Sequence, residues 1–249
     1  MAQPFGQHFL SSSHILERIA QAACPEPVSV AIEIGPGRGS LTERLLTRVE
    51  RLIALEIDPR LAAELEEKFR EEPRLQIIRC DALEYDWAQW SPDVICGNLP
   101  YYVATPLVVR AARSGVRTVA LIQKEVAARI TALPGSRDYG FLTCEIGLYA
   151  RSRMLFDVKP GAFHPPPRVE SSVLLLEPDD MARRLDATDR KFETFLSACF
   201  RHKRKTLRNN LASMFAREAL DANPMLSQRA EQCSIEQLAA LWHSLIAKG

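Results

Sequence analysis

Residues 30–46 read VAIEIGPGRGSLTERLL: an apolar β-branched run, glycines at 35, 37 and 39, and then a helical pattern in LTERLL. The run has no polar alternation, so it predicts a strand covered on both faces. Glycine lets the backbone turn tightly and approach a ligand without side-chain interference. The stretch therefore predicts strand, tight turn and helix in immediate succession. Outward from it the same alternation recurs. RLIALEID (51–58), LQIIRCD (75–81), DVICGNL (93–99) and RTVALIQ (117–123) read as further buried strands, with helix-length segments between them. That pattern predicts an α/β fold with a mostly parallel sheet and helices on both faces, in which ligands sit beyond the carboxyl ends of the strands.

GFLTCEIGLYA (140–150) reads as a helix, and RSRMLFDV (151–158) and RVESSVLLLEP (168–178) as an antiparallel pair closing the sheet edge across the proline-rich link KPGAFHPPP (159–167). After DDMARRLDATD (179–189) the strand pattern stops. Phe192, Phe195, Leu196, Cys199 and Phe200 then fall on one helical face, as do Ile235, Leu238, Leu241, Trp242 and Leu245, with Ser234 and Gln237 at capping-box spacing. The expected division is a sheet domain over residues 1–180 and a small helical domain over 181–249. At 249 residues, 47% hydrophobic and 25% charged, the chain can bury a full core, and its formal charge of +1 leaves any polyanion surface to local clustering. The six cysteines show no metal-binding spacing, and no metal is expected. They read as reduced thiols of a cytoplasmic protein. The N-terminus has no signal-peptide pattern, and no apolar stretch approaches membrane-span length, so no membrane association is expected.

The glycine turn alone is weak evidence, because such turns also serve plain strand-to-helix chemistry. The next strand ends in Glu56, 21 residues after Gly35, where a carboxylate can accept bonds from both ribose hydroxyls, and the third ends in Asp81, followed by Ala82. A dinucleotide site calls for Gly-x-Gly-x-x-Gly and few further carboxylates beside a pyrophosphate. A cleft with Gly35, Gly37, Glu33, Glu56 and Asp81 instead suits a ribose, an adenine amine and positive charge at the reactive end. S-adenosylmethionine has those features. Asn98 follows the fourth strand in CGNLPYY (96–102). Its side-chain oxygen and the Leu99 carbonyl can accept from an exocyclic adenine amine, Pro100 fixes the turn, and Tyr101 offers a stacking face. As a plain structural feature the same residues would make an Asx-type turn with a packed tyrosine.

GQHFL (6–10), EIGPGRGSLT (33–42), the Glu56 and Asp81 strand ends, NLPYY (98–102) and FHPPPRVESSV (163–173), in this order, resemble the ribosomal RNA adenine dimethylases. The likeness is to the group that dimethylates two neighbouring adenines near the 3′ end of small-subunit RNA. It covers about residues 3–178 and extends to RHKRKTLRNNL (201–211). It implies a Rossmann-like, S-adenosylmethionine-dependent methyltransferase sheet. His8 and Leu10 would contact the methionine end of the cofactor, Gly35 the loop side, Glu56 the ribose, Asp81 the adenine amine, and Asn98 the reacting centre. His8 stands where the family often has Asn, and a neutral imidazole can also donate and accept. The resemblance further implies that Phe163 closes over the target adenine opposite Tyr101; the residue could otherwise be a core residue of the edge hairpin.

RHKRKTLR (201–208) concentrates Arg201, Lys203, Arg204, Lys205 and Arg208. Read as a helix, it places Arg201, Lys205 and Arg208 on one face, for phosphate contact, with Leu207, Leu211, Met214 and Phe215 turned to the protein. The implied partner is small-subunit ribosomal RNA within an assembling 30S-type particle, and a monomer is expected. Two rival readings stand beside this one: a large-subunit adenine methylase conferring antibiotic resistance, against which FHPPP and RKTLRN argue, and a non-catalytic RNA-binding assembly factor on the same fold, against which the intact Glu56, Asp81, Asn98 and Tyr101 argue.

Overall fold

The computed structural model describes residues 8–221 and 223–247 and divides into two compact units, Met1–Ala127 with Ser152–Pro178, and Ala128–Arg151 with Asp179–Gly249. In the first unit, β1 (Phe9–Leu10) and α1 (Ser13–Ala23) precede the main sheet. The sheet's strands are β2 (Val28–Ile34), β3 (Val49–Glu56), β4 (Leu75–Arg79), β5 (Val94–Asn98), β6 (Arg117–Gln123), β7 (Ala150–Val158) and β9 (Ser171–Pro178), with β8 (Phe163–His164) outside it. The helices α2 (Ser40–Leu45), α3 (Pro59–Lys68) and α4 (Ala104–Arg113) fill the crossovers after β2, β3 and β5.

The spatial order is β4-β3-β2-β5-β6-β9-β7. Strands β4 to β6 are parallel to their neighbours, and β9 runs antiparallel to β6. Burial explains the apolar runs: Ala31, Ile32, Leu52, Ile53, Val94, Val119 and Leu121 are fully enclosed, because crossover helices cover both faces of a parallel sheet. From β2 the chain steps outward to β3 and β4, then returns to β5 on the other side of β2. The reversal opens a crevice at the carboxyl ends of these strands.

One pairing has no counterpart in the sequence pattern. The FHPPP link is not only a connector: β8 pairs antiparallel with β1, with Phe9 opposite His164 and Leu10 opposite Phe163. Ser11 N–H donates to the Ala162 carbonyl at 2.9 Å, extending the pairing. Two residues per strand are too few to leave a period-2 signal. Gly6 and Gln7 of the GQHFL segment lie outside the described residues.

The helical unit takes α6 (Phe141–Gly147), α7 (Met181–Arg184), α8 (Arg190–Cys199), α9 (Leu207–Leu211), α10 (Arg217–Asp221) and α11 (Ile235–Ile246), numbered after α5 (Lys124–Ile130). Asp189 caps α8, and Ser234 with Gln237 forms the expected capping box on α11. Phe192, Phe195, Phe215 and Trp242 make an aromatic cluster, with Phe195 and Trp242 centroids 5.2 Å apart. The expected domain boundary is corrected at one place. Residues 128–151 belong with this unit, because Tyr139, Cys144 and Leu148 pack into the same core as Phe192 and Trp242. All six cysteines are free thiols, and no described helix is long and apolar enough to cross a membrane.

The expected helix over 201–208 is also corrected. Residues 201–206 form a turn, and α9 starts only at Leu207, with Thr206 Oγ1 accepting from Asn209 N–H as its cap. Asn210, 4% exposed, ties the turn down: its Nδ2 donates to the Cys199 carbonyl at 2.7 Å and its Oδ1 accepts from His202 N–H at 3.2 Å. A capping threonine and a buried asparagine outweigh the helix propensity of the lysines and arginines. Leu207 and Leu211 are buried and Met214 and Phe215 pack beside them, as the pattern predicts.

Candidate active site

The crevice is lined by the ends of β2 to β5 and by β1. On its donor side, Glu56 is 3% exposed. Its Oε2 accepts from Gly37 N–H at 3.1 Å and its Oε1 from Asp58 N–H at 2.9 Å. Burial pushes its carboxyl up, against the pull of those backbone bonds. Gly37 has φ +57, and a Cβ there would lie 3.0 Å from the Phe9 ring, so the turn accepts only glycine if it is to hold Glu56 and admit β1. Asp81, following β4, is exposed and accepts from Leu83 N–H at 2.8 Å. Ala82, Gly35, His8 and Leu10 line the same crevice.

Glu33 alters the electrostatics expected of three carboxylates. It is 1% exposed, accepts from Thr42 Oγ1 at 2.6 Å, and is pushed up to about 8 by burial, with the neighbouring Glu56 charge adding to the effect. Burial thus favours its protonated form and reduces the negative potential it adds to the crevice.

On the acceptor side, Gly97 carries a role that no sequence pattern marks. A Cβ there would sit 2.2 Å from the Ile34 carbonyl oxygen. Only glycine lets β5 run this close to β2 and bring Asn98 beside Gly35. Asn98 Nδ2 donates to the His8 carbonyl at 2.9 Å, which fixes the amide and leaves Oδ1 as its acceptor atom in the crevice. Leu99 is buried with its N–H on the Leu121 carbonyl. The Pro100 carbonyl accepts from Val103 N–H and closes the turn. Tyr101 bonds Ser171 through its hydroxyl at 2.7 Å, and its ring centroid lies 5.7 Å from that of His8. His8 Nδ1 in turn meets the Pro165 carbonyl at 2.8 Å. The β1–β8 pairing thus joins the GQHFL, NLPYY and FHPPP segments at one point. Tyr102 also lines the crevice and is 58% exposed.

Phe163 lies in the core, the second of the two places the sequence left open for it. It does not line the crevice; it is 4% exposed and packs in the core with Leu10, Leu16 and Val173. Its register opposite Leu10 turns its side chain inward, and the hydrophobic gain of burying an aromatic ring holds it there. The basic residues are placed differently from the expected single face. Arg201, Lys203, Arg204 and Lys205 are exposed on the 201–206 turn, with Lys203 Nζ on the Arg137 carbonyl, while Arg208 sits on α9 in an ion pair with Asp221.

The donor set fits S-adenosylmethionine: a glycine turn that brings backbone close, carboxylates for hydroxyls and amines, and net negative potential for a cation. Fold and site together define a Rossmann-like methyltransferase domain accompanied by a helical unit. The family model described as "Ribosomal RNA adenine dimethylase" matches residues 2–247, and the chain belongs to that family. It is 40% identical over 253 residues to the ribosomal RNA small subunit methyltransferase A of Acidobacterium capsulatum, covering 96% of this chain and 89% of the relative. It is 39% identical to the protein of the same name from Bordetella bronchiseptica, covering 98% of this chain and 94% of that one. In fold it resembles a dimethyladenosine transferase from Plasmodium falciparum, with TM-score 0.84, 24% identity, and 97% and 98% of the two chains covered. It also resembles the 23S rRNA methyltransferase ErmE, with TM-score 0.69, 24% identity, and 96% and 99% covered.

Proposed function

We propose that this chain transfers methyl groups from S-adenosylmethionine to the exocyclic amines of two adjacent adenines near the 3′ end of small-subunit ribosomal RNA, giving dimethyladenosines during assembly of the small ribosomal particle in the cytoplasm. The observation that carries the chemistry is Asn98: its Nδ2 is held by the His8 carbonyl, so its Oδ1 is the acceptor beside the crevice. The names of the curated relatives support the choice of subunit.

When bound, the cofactor supplies an electrophilic methyl group on a sulfonium. The protein's part is positioning and electrostatics. Glu56, held by Gly37 and Asp58, presents its remaining lone pairs to ribose hydroxyls, and Asp81 receives the cofactor's adenine amine. Adenine's exocyclic nitrogen is a poor nucleophile because its lone pair is delocalised into the ring. Asn98 Oδ1 and the Leu99 carbonyl accept hydrogen bonds from its two N–H groups in the first transfer, and one of them accepts from the remaining N–H in the second, drawing the nitrogen toward tetrahedral geometry as charge develops. Tyr101, anchored on Ser171, provides the stacking face for a base taken out of its helix. The product proton leaves afterwards, so no general base is needed. The exposed 201–206 turn supplies RNA phosphate contacts.

The deciding experiment is mass mapping of methylated nucleotides in both ribosomal RNAs after deletion of the gene. Loss of two adjacent dimethyladenosines from the small-subunit RNA is expected. Loss from the large-subunit RNA, or no loss, would overturn the proposal in favour of one or other rival.

A further inference from the structure

We infer that Arg110 is a positioning residue for the donor side of the active site: from the helix that leaves the NLPYY loop, it fixes the backbone that carries Asp81. The inference rests on the cofactor reading above and adds to it a residue outside the crevice lining. Strand β4 is at the sheet edge and ends at Arg79, and residues 82–85 that follow it form a turn outside the sheet ladder. Arg110 of α4 reaches across to the carbonyls of this turn. Its Nη1 donates to the Ala82 carbonyl at 3.1 Å and to the Leu83 carbonyl, and its Nη2 donates to the Tyr85 carbonyl. Its guanidinium carbon also stands 4.5 Å from the ring centroid of Trp87, itself 3% exposed.

These bonds continue directly into the site. The N–H of Leu83, whose carbonyl Arg110 holds, donates to Asp81 Oδ1 at 2.8 Å. The N–H groups of Glu84 and Tyr85 close on the Asp81 carbonyl at 3.1 and 3.0 Å. At its other end α4 emerges from the acceptor loop, and Val103 and Leu107 line the crevice. One helix therefore sets the spacing between the loop that presents Asn98 and the loop that presents Asp81. A planar fork suits this task, because it meets several carbonyls at once on a stem ordered by an aromatic face; an ammonium is a point donor. With its donors on backbone carbonyls, Arg110 is not a phosphate contact.

The test measures S-adenosylmethionine affinity by calorimetry, steady-state kinetics on small-subunit particles, and particle affinity, for the full chain and for Arg110→Ala and Arg110→Lys. For Arg110→Ala, Kd and KM for S-adenosylmethionine should rise together by about tenfold, the scale of losing one hydrogen bond to a charged group. kcat at saturating cofactor should stay within about twofold and particle affinity should be unchanged, the split expected of uniform binding. Arg110→Lys should recover part of the affinity and bind about threefold more weakly than the native chain. If Arg110→Ala does not fold, the Lys variant decides. Native-like cofactor affinity in the folded variants overturns the inference, and weakened particle binding with intact cofactor affinity makes Arg110 an RNA contact instead. A native chain that fails to bind S-adenosylmethionine overturns the cofactor reading first, and the role of Arg110 with it.

Discussion

In the crevice, Glu56 and Glu33 are 3% and 1% exposed, and Gly37, Asp58 and Thr42 hold their oxygens in place. In the 201–206 turn, the side chains of Arg201, Arg204 and Lys205 are exposed and have no hydrogen-bond or ion-pair partner among the described residues. Both regions concentrate ionisable groups of one type, but the buried Glu56 and Glu33 carboxyls have lost water and orientational freedom, whereas the basic side chains retain both. A small ligand with fixed hydroxyls and amines is recognised by preorganised acceptors, whose alignment entropy is met on folding. A phosphate backbone of variable path is met by mobile cations, through a long-range and salt-sensitive attraction. The anchored region should therefore respond sharply to single atoms, and the solvated one gradually to total charge.

The largest effect expected from breaking this contrast is at Glu56. Glu56→Ala removes the acceptor of the ribose bonds and leaves the Gly37 N–H without its partner, so S-adenosylmethionine affinity should fall by at least about 100-fold, at ~1.5–3 kcal/mol per charge-assisted bond. An unchanged calorimetric Kd would remove Glu56 from the site. Glu33 tests the cost of burial itself. Its native pKa of about 8 lies above the ordinary carboxyl value of 4.5, so the native state binds more protons between those values. Stability from this group is full below about pH 4.5 and is lost as pH rises toward 8. Urea titrations should show a decline on the order of 3–5 kcal/mol across that window, which Glu33→Gln should flatten. The same decline in both proteins would show that Glu33 is not its source.

Asn98→Ala sharpens the comparison within the crevice. It should reduce the single-turnover rate by roughly 100-fold while cofactor Kd stays within about threefold, because the missing acceptor acts mainly as charge develops on the amine. Equal rates would exclude Asn98 from activating the amine. The smallest effect belongs to the basic turn. Replacing Arg201, Arg204 and Lys205 together by Ala should weaken particle binding by about tenfold at moderate salt and flatten the plot of log affinity against log salt by about 0.7 for each phosphate no longer neutralised. Cofactor affinity should not move. Parallel salt lines for variant and native chain would reduce the cluster to solvated surface.

The features legible in the sequence share a local cause. Buried parallel strands must be apolar on both faces, so VAIEIG, RLIALEID and RTVALIQ announce themselves, and their order implies that Glu56, Asp81 and Asn98 end up at one edge. Ser234 and Gln237 are legible because a capping box is closed within four residues. The Arg201–Arg208 segment has the composition of a helix, but its turn depends on Asn210, whose side chain reaches back to Cys199 and His202. At Phe163 a motif fixes that an aromatic is present, while strand register decides which way it points, and that register places it in the core beside Leu10.

By itself, then, the sequence determined the βαβ order, the glycine turn, the acidic strand ends and the NLPYY loop, since each follows from the chemistry of neighbouring residues along the chain. Only the tertiary structure decided that β1 pairs with β8 and sets His8 against Asn98, that Gly97 is needed for β5 to pass the Ile34 carbonyl, and that residues 128–151 join the helical core. It also decided that Arg110 reaches across to the carbonyls after Asp81, and that burial pushes the Glu33 carboxyl well above the usual carboxylate range. In each of these cases the energy lies in a contact or a desolvation between residues far apart in sequence. No local pattern encodes such an interaction until the chain has closed around it.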